Sequence, residues 1–129
     1  MTPQPRWALV VGKWGAVAAM EQQFARALGK ERALFIPSGT LANHLALRHL
    51  AGGRTRVIVP AESHIYCDSA DCVQALSHLN LVPLGAGRAT FTAQEVQAAC
   101  ERAVAGPFPT PVGALSIECP VRRRDGEVF

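Results

Sequence analysis

The sequence is poor in lysine, in long apolar runs, in paired cysteines and in any large excess of one charge. Only Lys13 and Lys30 carry an ε-amine, so chemistry that needs a lysine nucleophile has two residues to draw on. No stretch approaches the ~18 apolar residues that a membrane helix requires. The apolar run at residues 7–11 is closed by Gly12-Lys13, where a secretory leader would place a small-residue cleavage site. The expectation is therefore no targeting signal, no membrane and a cytoplasmic location. The cysteines, Cys67, Cys72, Cys100 and Cys119, form no CxxC pair. A disulfide framework is not expected, and Cys100 is most simply a small core residue on a helix face. His64, Cys67, Cys72 and His78 fit no common zinc spacing, so no metal is expected. Net charge is +3. The one basic run, Arg122-Arg123-Arg124, is followed closely by Asp125 and Glu127. That is a solvated turn rather than a nucleic-acid arm.

What is present is the composition of a globular domain: 129 residues, 49% hydrophobic and 18% charged, enough for one buried core. Val17, Met20, Phe24, Ala27 and Leu28 recur at helical spacing and predict an amphipathic helix over residues 16–28, with Gly29 as its C-cap. Ala33-Leu34-Phe35-Ile36 is a continuous apolar run ended by Pro37, which suits a strand buried on both faces. A helix is expected over residues 41–50, ended by Gly52-Gly53, then a strand at residues 56–59 and a helix at 65–78. Residues 81–84 predict a strand whose Pro83 marks an edge or an end. Thr92-Ala93-Gln94-Glu95 is a capping box, opening a helix whose buried face is Val96, Ala99, Cys100 and Ala103. A last strand is expected at residues 114–117, and Asp125-Gly126 is a turn. Strands alternating with helices predict an α/β fold with a mostly parallel sheet and flanking helices.

Two places carry chemistry. In Ile36-Pro37-Ser38-Gly39-Thr40-Leu41-Ala42-Asn43 a strand ends and a helix begins at once. The first turn of a helix has unpaired N–H groups and the positive end of the dipole. Gly39 lets a ligand approach the backbone, and Ser38 and Thr40 add hydroxyls, which together suit a phosphate. The same residues also make an ordinary N-cap turn. The segment is neither a Walker A loop nor GxGxxG. The second place is Ala61-Glu62-Ser63-His64-Ile65-Tyr66, just after a strand. Ligands of open α/β sheets sit beyond strand carboxyl ends. If the two strands are neighbours, the His64 ring can face whatever the loop holds and stack on a planar group. The alternative is a satisfied surface or core histidine.

These segments, from Gly29 through Asn43, then Glu62-Ser63-His64-Ile65-Tyr66, residues 92–103 and Ser116-Ile117-Glu118, resemble the threonine aldolases and related β-eliminating lyases. That family has fold type I and uses pyridoxal 5′-phosphate. The resemblance covers residues 12–129 and leaves residues 1–11 unmatched. It implies that Gly39, Thr40 and Ser38 hold the cofactor phosphate, that His64 stacks on the ring and assists proton transfer, and that Glu118 is a further cofactor-site candidate. It implies an amino acid substrate cleaved to glycine and an aldehyde, and a homo-oligomer for the full-length enzymes; the mild charge balance argues for no nucleic-acid partner.

The sequence also departs from the family. Cys119-Pro120 follows Glu118 where an Asn and a second His are usual, and Trp14 stands where glycine is more common. Pyridoxal chemistry needs a lysine that carries the cofactor and an acid against the ring nitrogen. Neither Lys13 nor Lys30 lies in the family's lysine context, and the family's Asp-Gly-Ala-Arg motif is missing. Three arrangements follow: an inactive amino-terminal fragment of the large domain, one chain of a split enzyme, or a non-catalytic phosphate-binding or interaction domain.

Overall fold

The computed structural model describes residues 15–129. The expectations for residues 1–11, Lys13 and Trp14 lie outside them. The chain divides into two compact units, Met1–Pro37 and Ser38–Phe129.

In the first unit, α1 spans Gly15–Ala27. It ends as its sequence demands. Gly29 takes φ +62°, its N–H reaches Arg26 O at 3.2 Å and the Lys30 N–H reaches Ala25 O at 2.9 Å. This pair of bonds is the Schellman motif, which only a residue tolerant of positive φ closes cheaply. The apolar stripe is not buried as expected. Val17, Phe24 and Leu28 are exposed, and Ala25 is the helix's one buried residue. The strand expected at residues 33–36 is also absent. A strand exists by pairing, and here no ladder forms. The Phe35 N–H instead donates to Glu21 Oε1 at 2.7 Å, while Leu34 and Phe35 stay exposed.

In the second unit, α2 spans Gly39–Leu50, β1 Arg56–Pro60, α3 His64–Cys67, α4 Cys72–Ser77, β2 Asn80–Leu84, α5 Ala93–Val104 and β3 Val112–Leu115. A 3₁₀ turn covers Arg122–Arg124. The three strands are parallel, in the order β2-β1-β3. The parallel α/β fold expected from the alternation of elements is what forms, with three strands among the described residues rather than the four expected. Pro83 sits in β2, an edge strand, as its missing N–H requires.

β1 is the centre of the core. Val57, Ile58 and Val59 are fully buried, and strand alternation sends them to opposite faces. Val57 and Val59 pack with Leu47, Ile65, Val73 and Leu79 from the α2, α3 and α4 side. Ile58 packs with Phe91 and Ala99, and with Val96 and Cys100 of α5. The sheet therefore lies between helix layers, and each buried aliphatic side chain contributes roughly 1.5–3 kcal/mol.

Two boundaries differ from expectation for local reasons. The helix expected at residues 65–78 is broken at residues 68–71, where Ala70 and Asp71 take φ 49° and 55°. Ser69 Oγ donates to Ile65 O at 2.6 Å, a side-chain bond that competes with helix propagation. β3 starts earlier than expected because it takes in Gly113. A Cβ there would lie 2.6 Å from Ala51 O, and the pairing register shifts beside it. Glycine here signals close backbone approach, not the absence of a strand.

The capping box forms in full. Thr92 Oγ1 accepts from the Glu95 N–H at 3.2 Å, and Glu95 Oε2 accepts from the Thr92 N–H at 2.8 Å. That backbone bond, with Arg88 adding to it, holds the Glu95 carboxyl below the usual carboxylate range. A depressed folded pKa stabilises the protein above the unfolded value, and the gain is lost as pH falls through the folded one. Thr92→Ala is expected to lower stability by about 1 kcal/mol. Glu95→Gln should flatten the acid limb of a denaturation-versus-pH curve below about pH 4.3. An unchanged limb would count against the capping contribution.

Candidate functional site

The sheet order decides where a site can lie. The chain goes from β1 to β2, then crosses to the far side of β1 to form β3. In doubly wound sheets with this order, the ligand crevice opens between the carboxyl ends of the two strands on either side of that switch, here β1 and β3. His64 follows β1 and Glu118 follows β3. They meet: the His64 backbone N–H donates to Glu118 Oε2 at 2.5 Å. The other carboxylate oxygen, Oε1, accepts from the Arg122 N–H at 3.0 Å.

His64 is the first residue of α3, and its side chain is 31% exposed. Its Nδ1 has no hydrogen-bond partner among the described residues. The nearest carboxylate, Asp68 Oδ2, is 3.9 Å away, one turn along. Asp68 is held by the Arg123 guanidinium, with Nη2 at 2.6 Å and Nε at 3.1 Å from the carboxylate. That contact keeps the Asp68 carboxyl below its ordinary range. Next to it, burial pushes the Cys67 thiol up despite the nearby Arg123, and Cys67 Sγ donates to Ala61 O at 3.1 Å. On the β2 side, Glu62 Oε1 accepts from the Gly87 N–H at 2.9 Å.

The Ser38-Gly39-Thr40 segment opens α2. Ser38 is the N-cap, and its Oγ accepts from the Leu41 N–H at 3.2 Å. Gly39 and Thr40 are the first two helical residues, so their N–H groups have no carbonyl within the helix to bond. Gly39 is not in the positive-φ region, and a Cβ built on it would meet nothing within 4 Å. Neither backbone conformation nor packing among the described residues requires glycine there.

No hydrogen bond joins Ser38, Gly39 or Thr40 to His64 or Glu118 among the described residues. What connects the elements is Asn43, one turn into α2. It lines, with Ile65, Ser116 and Glu118, a cavity of about 460 Å³. Connectivity agrees with this placement. α2 ends six residues before β1 begins, so its N-terminus lies toward the carboxyl ends of the strands.

Sequence reasoning missed Asp68 and Arg123. Their pairing spans 55 positions, and the Arg122-Arg123-Arg124 run was expected to be a solvated turn. Arg124 does sit on a turn and pairs with Glu127 at 3.2 Å. Nothing local in the sequence distinguishes Arg123 from its neighbours. Lys30 lies in the turn closing α1. Among the described residues, no helix is long and apolar enough to cross a membrane.

A parallel α/β domain with its polar groups gathered at the carboxyl rim of the sheet is the class that fold and site define. The chain belongs to the beta-eliminating lyase family, whose sequence profile matches residues 10–129. It is 38% identical over 66 residues to the low specificity L-threonine aldolase of Saccharomyces cerevisiae, a match covering 50% of this chain and 17% of that protein. Among solved structures it resembles a proposed L-allo-threonine aldolase from Listeria monocytogenes EGD-E, with a TM-score of 0.74 and 27% identity. A proposed aromatic amino acid beta-eliminating lyase/threonine aldolase from Exiguobacterium sp. 255-15 gives 0.72 and 26%. Each structural match covers 92% of this chain and 31% of the other. The chain thus spans about a third or less of the relatives it matches.

Proposed function

We propose that this chain forms the phosphate-binding and ring-stacking part of a pyridoxal 5′-phosphate-dependent carbon–carbon lyase of threonine aldolase type. The observation that carries the reading is the opening of α2. Two first-turn amides, of Gly39 and Thr40, are unpaired within the helix, and among the described residues nothing in conformation or packing requires Gly39 to be glycine. An anion that approaches the backbone closely supplies a reason for glycine.

The residues present fit the group in part. The N–H groups of Gly39 and Thr40, with the Thr40 hydroxyl, would hold the phosphate. Ser38 Oγ is already engaged by Leu41, so Ser38 contributes by shaping the turn. The His64 ring would stack on the pyridine face, and its Nδ1 is available to hold a proton. The bound cofactor would supply an electron sink for cleaving a β-hydroxy amino acid to glycine and an aldehyde. These 129 residues contain no lysine in the context that carries the cofactor. By themselves they are expected to show no threonine cleavage and no absorbance band of a lysine-linked cofactor.

The test uses pyridoxamine 5′-phosphate, which has the phosphate and the ring but needs no lysine. Saturable binding to the purified chain is expected by calorimetry or ligand fluorescence. His64→Ala should weaken it about three- to tenfold, and His64→Phe should restore most of the loss, since stacking needs only a flat ring. No saturable binding, or no effect of His64→Ala, would sink the proposal.

A further inference from the structure

We propose that the segment from Glu118 to Arg124 is a clamp on the His64 turn, and that Glu118 is a positioning residue rather than a cofactor ligand. The inference deepens the proposed function and rests on it for the role of His64.

Both oxygens of the Glu118 carboxylate are used within the chain. Oε2 takes the His64 N–H and Oε1 takes the Arg122 N–H. Each bond satisfies a backbone donor that local structure leaves without a partner. His64 starts a helix of four residues and Arg122 starts a 3₁₀ turn of three. Neither N–H has a carbonyl behind it to bond. One carboxylate, placed where β3 ends, therefore holds the starts of two short elements together. A carboxylate accepting two N–H groups at hydrogen-bond distance forms charge-assisted bonds on both.

The same segment grips the far end of α3. Arg123 forks onto Asp68, the C-cap of that helix, through both Nε and Nη2. Asp68 is also the carboxylate nearest the His64 ring. So one stretch of chain fixes the His64 backbone at the start of the turn and fixes the acid beside its ring at the end. The contacts differ in weight. The Arg123–Asp68 pair is partly exposed, with side chains 49% and 27% accessible, and water competes for it. Glu118 is the stronger point because its partners are amides with no local alternative. A four-residue helix with so little structure of its own cannot fix a ring against a ligand unaided. The clamp supplies the rigidity that stacking requires.

Glu118→Gln tests this with little change of shape. A glutamine side chain keeps one acceptor oxygen and replaces the other with a donor. One of the two amides, His64 or Arg122, must lose its partner. In the isotopically labelled chain, that amide proton should move upfield and exchange with solvent about ten- to a hundredfold faster. Pyridoxamine 5′-phosphate affinity should fall several-fold, while affinity for inorganic phosphate stays as in the wild type, because α2 is not part of the clamp. General destabilisation would weaken both ligands together. As a measurement needing no variant, a scalar coupling across the hydrogen bond should link the His64 amide nitrogen to the Glu118 carboxylate carbon. Unchanged amides in Glu118→Gln, or parallel loss of both ligands, would overturn the clamp. If the wild type binds no pyridoxamine 5′-phosphate, the functional proposal falls, and the amide measurements still judge the clamp independently.

Discussion

Replacing Gly85 with alanine is expected to destabilise the protein by about 3–5 kcal/mol, within reach of the whole stability of a small domain. Two costs add. Gly85 has φ +70°, which an L-residue adopts only at about 1 kcal/mol. Its new Cβ would also lie 2.3 Å from Thr90 O and 3.1 Å from Thr90 C. Those are backbone atoms and cannot rotate away, so the loop after β2 would have to move. Phe91 is next in the chain and packs on Ile58 and Ala99, so loop movement reaches the core. The molecule contains its own control. Gly87 has a similar φ of +73° but nothing within 4 Å of an added Cβ. Gly87→Ala should cost only the conformational part, about 1 kcal/mol. Urea midpoints of the two variants measure the difference. Equal midpoints would show that the Thr90 contact relaxes freely.

Gly39→Val should do the opposite: leave stability nearly untouched and remove phosphate binding. The position is helical with open space around it. Valine and glycine differ little in helix propensity, so the stability change should stay within about 0.5 kcal/mol. The branched side chain would then occupy the volume a phosphate must enter to reach the Gly39 and Thr40 amides. Affinity for pyridoxamine 5′-phosphate should fall more than about tenfold, the scale of one lost charged hydrogen bond. Wild-type affinity in Gly39→Val would show that the ligand does not approach this turn. A large stability loss would show that the glycine serves packing instead.

These two glycines also show how far sequence reading reaches. Both lie near an element boundary; the Ser-Gly-Thr turn singled out Gly39 as a ligand contact, and nothing in the local sequence marked Gly85 as tightly packed. Only the neighbouring atoms make Gly85 structural and leave Gly39 with no packing role among the described residues. Gly113 repeats the lesson, since only the Ala51 carbonyl 2.6 Å from an added Cβ shows why β3 carries a glycine there.

Local signals served well where the physics is local. The Schellman turn at Gly29, the capping box at Thr92 and Glu95, the edge strand marked by Pro83 and the Asp125-Gly126 turn were legible because each closes within a few residues. The alternation of strands and helices was enough for a parallel α/β class and, with the quoted motifs, for the family. Burial and pairing were not legible for the first unit. An apolar stripe predicts a helix but not what covers it, and residues 33–36 have strand composition but pair with no strand among the described residues. The site divides the same way. Ser38, Gly39, Thr40 and His64 were singled out by residue type and position, and Glu118 by the end of a strand. That Glu118 bonds the His64 backbone, and that Arg123 holds Asp68 across 55 positions, depended on the sheet order that makes β1 and β3 neighbours. Hydrogen bonds between residues far apart in the chain have no sequence period. They exist only once the core, centred on Val57, Ile58 and Val59, has brought the strand ends together.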